Sequence, residues 1–328
     1  MGLLSFVSKL LQGGSLPDPF TQNPQAAELV ASVKRADMST TTPMLSGLRD
    51  DAWSDRAFFL DAIAPHCMPE VLDAWCQNDA QNPIAFLLRG VKHIDEAWEA
   101  RGHGHAKTVS TRGRKLMAQH LGAAQEHLEA AAALDAADPT PHSYLISVAM
   151  GQSSSEEAGH HFQQAVERDG QHYPAHAAML KVVCKKWGGS HEQMFDFARH
   201  ARDATAEGGD LPLILVNAHI ERWLYSYNFD NDVQGAEAWI GDPQVQQEAQ
   251  HAWSISLGSP SYQPGPWTPH RRNEAAFWFY LVRDIERLRQ EMSELHNVCT
   301  EVPWGWDHLR GSAVESYKAA RGRMAGLK

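Results

Sequence analysis

The sequence predicts an all-α fold. Apolar residues recur every three or four positions over long stretches, strand-like alternation is rare, and Pro, Gly and Asp-Pro punctuate the periodic runs. Of the 328 residues, 43% are apolar and 21% charged, the balance of a folded chain and not of a disordered one. Lys and Arg total 29 against 40 Asp and Glu, a formal net charge of -11, which disfavours a general nucleic-acid binder. No uninterrupted apolar run of about 18 residues occurs, so no transmembrane helix is expected.

Taken in order, residues 1–45 read as an N-terminal amphipathic helix and a linker. Leu3, Leu4, Phe6, Val7, Leu10 and Leu11 share one helical face. Lys9 interrupts the run and no basic leader precedes it, so a signal peptide is not expected. Docking onto this chain or a partner is the favoured reading, and weak peripheral membrane contact through residues 3–11 is the alternative. Periodicity then places helices near 54–64, 69–78, 83–100, 112–135, 140–150, 155–168, 173–186, 190–206, 211–226, 243–256 and 272–298.

An internal repeat runs through the middle of this series. Leu128, Ala131, Asp135, His142 and Ile146 are matched 34 residues later by Phe162, Ala165, Asp169, His176 and Leu180. That is the tetratricopeptide period, in which paired antiparallel helices bury their apolar faces only by stacking. Ala131 and Ala165 are small enough for helices to approach closely, and Pro139 and Pro174 sit where a new helix starts. Phe195 and Ala198 begin a looser third copy, whose register drifts through Glu207-Gly208-Gly209-Asp210. The sequence therefore predicts a tetratricopeptide-like α-α solenoid over residues 46–226, followed by an irregular, Trp-rich helical cap over 227–328.

Two segments carry a resemblance. Trp98-Glu99-Ala100-Arg101-Gly102 leads to Asp138-Pro139-Thr140-Pro141, and Lys186-Trp187-Gly188-Gly189-Ser190-His191-Glu192 leads to Phe197-Ala198-Arg199. Over about residues 50–225 the chain resembles a family of uncharacterised bacterial tetratricopeptide-like helical-repeat proteins. The resemblance implies the repeat fold and no catalytic residue. The Trp-Gly-Gly-Ser step also makes local sense, because glycines end one helix and Ser190 caps the next beside Glu192.

Beyond 226 the character changes. Asp230-Asn231-Asp232 lacks the glycine and terminal glutamate of a calcium loop and reads as a turn. Four prolines between 260 and 269 predict an extended loop. The run Ala275 to Val282 is wholly apolar and predicts a stretch buried all round, within a helix that continues through Ile285, Leu288, Met292 and Leu295. The basic tail from Ser312 is expected to fray.

No hydrolase, P-loop, dinucleotide-binding or zincin motif is present. Cys67, Cys76, Cys184 and Cys299 form no C-x-x-C pair and fit free thiols in a reducing cytoplasm. His103-x-His105, His160-His161 and His172 with His176 lack the further ligands that zinc needs, so no metal site and no cofactor is assigned. A locally basic loop runs through Arg101, Lys107, Arg112, Arg114 and Lys115, either solvated or binding an acidic partner surface, a phosphate or RNA. Eight of the eleven tryptophans lie from Trp187 onward, as core of the cap or as an aromatic groove.

The function expected is a protein-protein interaction module that binds a partner peptide or helix, with no catalysis. The expected contacts are Tyr144, Ser147, His176, Lys181, Lys185 and Asn217. The alternatives are an immunity- or defence-type neutraliser of a basic toxin, in keeping with the acidic charge, and an enzyme with a His- and Trp-lined pocket.

Overall fold

Seven of the helices begin where a backbone N–H group of the first turn finds a local side-chain acceptor. Asn23, Asn82, Ser110, Ser190, Asp232, Asp242 and Asp284 each accept a hydrogen bond from an N–H of the turn they precede. Pro24, Pro69, Pro83 and Pro243 open helices, where proline's missing N–H removes no intrahelical bond. The computed structural model describes residues 16–102, 109–306 and 312–324. These residues form 17 α-helices and no strand. In chain order they are α1 (Pro19–Gln22), α2 (Pro24–Lys34), α3 (Thr41–Ser46), α4 (Trp53–Ile63), α5 (Pro69–Asn78), α6 (Pro83–Arg101), α7 (Thr111–Leu134), α8 (Thr140–Gly151), α9 (Ser155–Arg168) and α10 (Tyr173–Val183). They continue with α11 (His191–Asp203), α12 (Leu213–Asn228), α13 (Val233–Gly241), α14 (Pro243–Ser254), α15 (Thr268–Leu281), α16 (Ile285–Leu295) and α17 (Ala313–Met324). None is long and apolar enough to cross a membrane. The N-terminal run 3–11 and the residues His103, His105 and Lys107 lie outside the described residues.

The chain divides into two compact units, and the division falls inside α10, between Met179 and Leu180. The sequence predicts a boundary at 226 instead. In the first unit α6 packs on α5 and α7, α7 on α8, and α8 on α9. The 34-residue period has a direct backbone counterpart. Asp135 N–H donates to Ala131 and Asp169 N–H to Ala165, each at 3.0 Å, and the next bonds repeat as Asp138 to Asp135 and His172 to Asp169. The interior of this unit is unusually polar. Arg56 on α4 is fully buried, donates from Nε to the Leu45 carbonyl at 2.9 Å, and pairs with buried Asp138. Tyr144 is buried beside it in α8 and donates to Asp61 at 2.7 Å.

The second unit is organised on α12, which packs against α11, α13, α14 and α15. Leu213 to Val216, Ala218 to Glu221, and Trp223, Leu224 and Ser226 are all buried. Trp223, Trp253, Trp267, Trp278 and Trp304 are buried too, so these tryptophans form core and not groove. Two of their indole N–H groups find partners inside, Trp253 on Glu291 at 2.8 Å and Trp304 on Asn273 at 2.7 Å.

Three expectations are corrected. Residues 24–46 are not a linker: α2 packs on α4 through buried Leu29 and Val33, and α3 supplies Leu45. The span 272–298 is two helices, because Arg283 has a left-handed backbone (φ 62°) and Asp284 caps a new helix by accepting from Arg287 N–H at 3.1 Å. Residues 313–324 form α17, with Val314, Tyr317 and Ala320 buried and the Tyr317 ring 5.3 Å from that of Trp304. Elsewhere at this end Asn231 makes a left-handed turn, and burial all round holds for Ala275 to Tyr280 but stops before Leu281 and Val282, which are half-buried.

Gly90 sits where α6 meets α7. A Cβ there would lie 2.6 Å from Leu128 Cγ, so the absence of a side chain sets the helix separation. Gly90→Ala is expected to destabilise the protein by about 1–3 kcal/mol through overpacking. Gly122→Ala, in α7 with nothing within 4 Å of the new Cβ, is expected to stabilise it by roughly 0.5–1 kcal/mol. Urea titrations of the two variants should move in opposite directions from wild type, and a shift of the same sign would show that Gly90 does not set this contact.

Candidate functional site

The six expected contact residues separate between the two units. Tyr144, Ser147 and His176 belong to the first unit and are buried. Their side chains serve its packing and present no surface to a partner, since the helix face that the repeat register brings forward is covered. Lys181, Lys185 and Asn217 belong to the second unit. Asn217 donates to Glu274 at 3.0 Å, tying α12 to α15. Lys185 lies on the surface, its ammonium 4.5 Å from the centroid of the Tyr225 ring and 3.9 Å from an Asp230 carboxylate oxygen.

Around Lys185 the structure assembles residues that the sequence groups only as aromatic. Tyr225 and Phe229 are four apart at the end of α12, so their rings stack at 5.2 Å and 4°. His191 closes the other side edge-on, 5.3 Å away. Phe229 is 43% exposed and Val233 51%, unusual for side chains of this size. The Gly188-Gly189-Ser190 step positions this shelf. Gly188 has φ 103°, a Cβ on Gly189 would fall 2.0 Å from the Val183 carbonyl oxygen, and Ser190 accepts from Gln193 N–H.

The basic residues are placed less tightly. Arg101 ends α6 and lies over the Trp98 ring. Arg112, Arg114 and Lys115 are exposed in the first turn of α7, where no acidic residue offsets them against the positive end of the helix. A cleft of about 340 Å³ in the second unit is lined by Pro264, Thr268, Arg272, Glu294 and His296, among others. Its arginine is engaged by Glu291 at 2.9 Å and Glu294 at 3.8 Å. The four cysteines are free and buried. Burial pushes the thiols of Cys67, Cys184 and Cys299 up to about 12 and that of Cys76 to about 11, which leaves them un-ionised at neutral pH.

One further cluster has almost no signature in the sequence. His93 and Glu96 on α6 meet His120 on α7, and among the described residues this is the one group of three or more metal-ligating side chains with donor atoms within 4.8 Å. Glu96 Oε2 lies 3.0 Å from His93 Nδ1 and 3.2 Å from His120 Nδ1, and the two nitrogens are 3.3 Å apart. Arg89 stands behind, with Nη1 3.3 Å from the same oxygen and Nε 2.6 Å from Asp73. Burial holds His93 below the usual imidazole range. Burial works to raise the Glu96 carboxyl, but His93, Arg89 and His120 together hold it below its ordinary value. The only sequence signal is the i, i+3 spacing of His93 and Glu96, which no local rule connects to a residue on another helix.

No protein-family model matches this chain, and no curated protein and no solved structure matches it.

Histidine burial also sets a pH dependence. His142 and His176 are both pushed down to about 4, chiefly by burial. Unfolded histidine takes up a proton near pH 6.5, so below that pH the unfolded chain binds protons that the folded chain refuses. Stability present at neutral pH is therefore lost as pH falls from about 6.5 towards 4, by up to ~1.4 kcal/mol per pH unit for each histidine. Urea titrations over this window should show a shallower slope for His142→Gln than for wild type, and equal slopes would rule out His142 as a contributor.

Proposed function

We propose that this chain is a helical-repeat adaptor that binds another protein, and that the Lys185–Tyr225–Phe229 shelf of the second unit is its contact. The observation that carries this reading is the stacked pair with Phe229 exposed at its edge. Aromatic side chains held rigid by their neighbours bind at low entropic cost and dominate interface energetics. Lys185 is itself 43% exposed at its side chain and flanks the shelf. The fitting partner is therefore a peptide or helix that lays an apolar residue on Phe229 and turns an acidic residue towards Lys185. The repeated turns at Asp135 and Asp169 support tetratricopeptide-like units, as in the helical-repeat family that the sequence resembles. The buried free cysteines support a reducing, cytoplasmic setting.

Phe229→Ala is expected to cost at least ~2 kcal/mol of partner binding, about 30-fold, while changing stability little because the ring is exposed. The test is quantitative affinity enrichment from the native cell with wild type, Phe229→Ala and Lys185→Ala, alongside thermal melts. Partners lost in both variants at unchanged melting temperature would support the reading. Identical enrichment by all three, or none above background with wild type, would overturn it.

A further inference from the structure

His93 and Glu96 share one face of α6 because they are three residues apart. His120 reaches them from α7, and the side-chain-free surface of Gly90, one turn before His93, is where these helices close on each other. The three donor atoms form a triangle with sides of 3.0, 3.2 and 3.3 Å. A cation held at bonds of about 2.0–2.1 Å in tetrahedral geometry has ligand-to-ligand edges of about 3.3–3.4 Å. The side chains thus already converge at the spacing that a small divalent ion imposes.

Hydrogen bonding alone accounts less well for this triangle. The carboxylate only accepts, so each imidazole satisfies it by carrying its proton on Nδ1. Both doing so sets two N–H groups against each other at 3.3 Å, and either one losing that proton turns a lone pair towards the carboxylate. A cation at the centre makes all three contacts favourable at once. His127 has its ring 5.3 Å from that of His93 and its Nδ1 2.8 Å from the Ala123 carbonyl, but it is not among the three side chains whose donor atoms converge. Arg89 brings a positive charge to the cluster's edge. It is shared with Asp73, so it braces the Glu96 carboxylate while its own charge is offset. The cluster is not sealed: His120 is 30% exposed, which leaves a way in for the ion and for a water to complete its coordination.

We propose that His93, Glu96 and His120 form a binding site for a divalent transition-metal ion, with zinc as the best fit to two imidazoles and one carboxylate. Side chains on facing helices are a common way to build such sites. Three protein ligands with a position left for water also distinguish it from a closed structural site.

The test uses the full chain, stripped with a chelator and dialysed against Zn²⁺ at micromolar free concentration, with bound metal counted by elemental analysis. Wild type should take up one ion per chain and melt at a higher temperature than the stripped protein. Glu96→Gln and His120→Ala should each weaken uptake at least ~10-fold, whereas His200→Ala, an exposed histidine in the other unit, should bind as wild type. Glu96→Gln preserves side-chain size, so it decides the matter should His120→Ala unfold. Replacement by Co²⁺ gives an independent readout, because wild type should acquire visible absorption that Glu96→Gln lacks. Uptake unchanged in Glu96→Gln, or no uptake by wild type, would overturn the proposal.

Discussion

The close contact of α6 with α7 is the constraint on which most of the first unit depends. Gly90 admits Leu128, and that fit sets how near the two longest helices of the unit lie. Everything placed along those helices inherits the separation. One turn further along α6, it brings His93 and Glu96 to within hydrogen-bonding range of His120. A larger residue at 90 would act on the cluster through the backbone, without touching any of its members, because packed interiors transmit displacement instead of absorbing it.

The same unit keeps charge in its interior. Arg56 is fully buried and paired with Asp138, which also accepts from the Thr140 N–H at the start of α8. One side chain thereby ties α4, the α3 backbone and the turn between α7 and α8. A buried pair of this kind adds little net stability over a well-packed apolar substitute, yet removing one member leaves the other uncompensated. Its effect is to favour the arrangement in which the two charges meet, although Arg56 Nη2 is buried without a hydrogen-bond partner. The second unit achieves the equivalent with indole N–H groups, through Trp253 to Glu291 and Trp304 to Asn273.

The helices are legible in the sequence because their signals are local. Ser190 beside Glu192 and prolines at first turns mark boundaries within a few residues of where they fall, whereas the short helix Val233–Gly241 that Asp232 caps falls between two predicted helices. The break at Arg283 escapes the sequence because the apolar spacing of Leu281, Ile285 and Leu288 continues across it, and the left-handed turn that redirects the chain leaves that pattern intact. The helix from Ala313 escapes because its basic residues dominate the reading, while its buried face (Ala313, Val314, Ser316, Tyr317 and Ala320) holds only two large apolar side chains. The candidate contacts divide unevenly for one reason. Register predicts which residues share a face, but burial of Tyr144, Ser147 and His176 depends on which other element covers that face.

By itself the sequence determined an all-helical chain, the 34-residue period that reproduces the Asp135 turn at Asp169, and the grouping of aromatics near Trp223 to Phe229. These follow from backbone propensity, capping and spacing, which act over a few residues. Only the tertiary structure decided that Trp223, Trp253, Trp267, Trp278 and Trp304 fill a core, that Phe229 stays exposed beside Lys185, and that His93, Glu96 and His120 meet. Those outcomes depend on contacts between helices, where the distance of closest approach is set by side-chain volume and not by sequence separation.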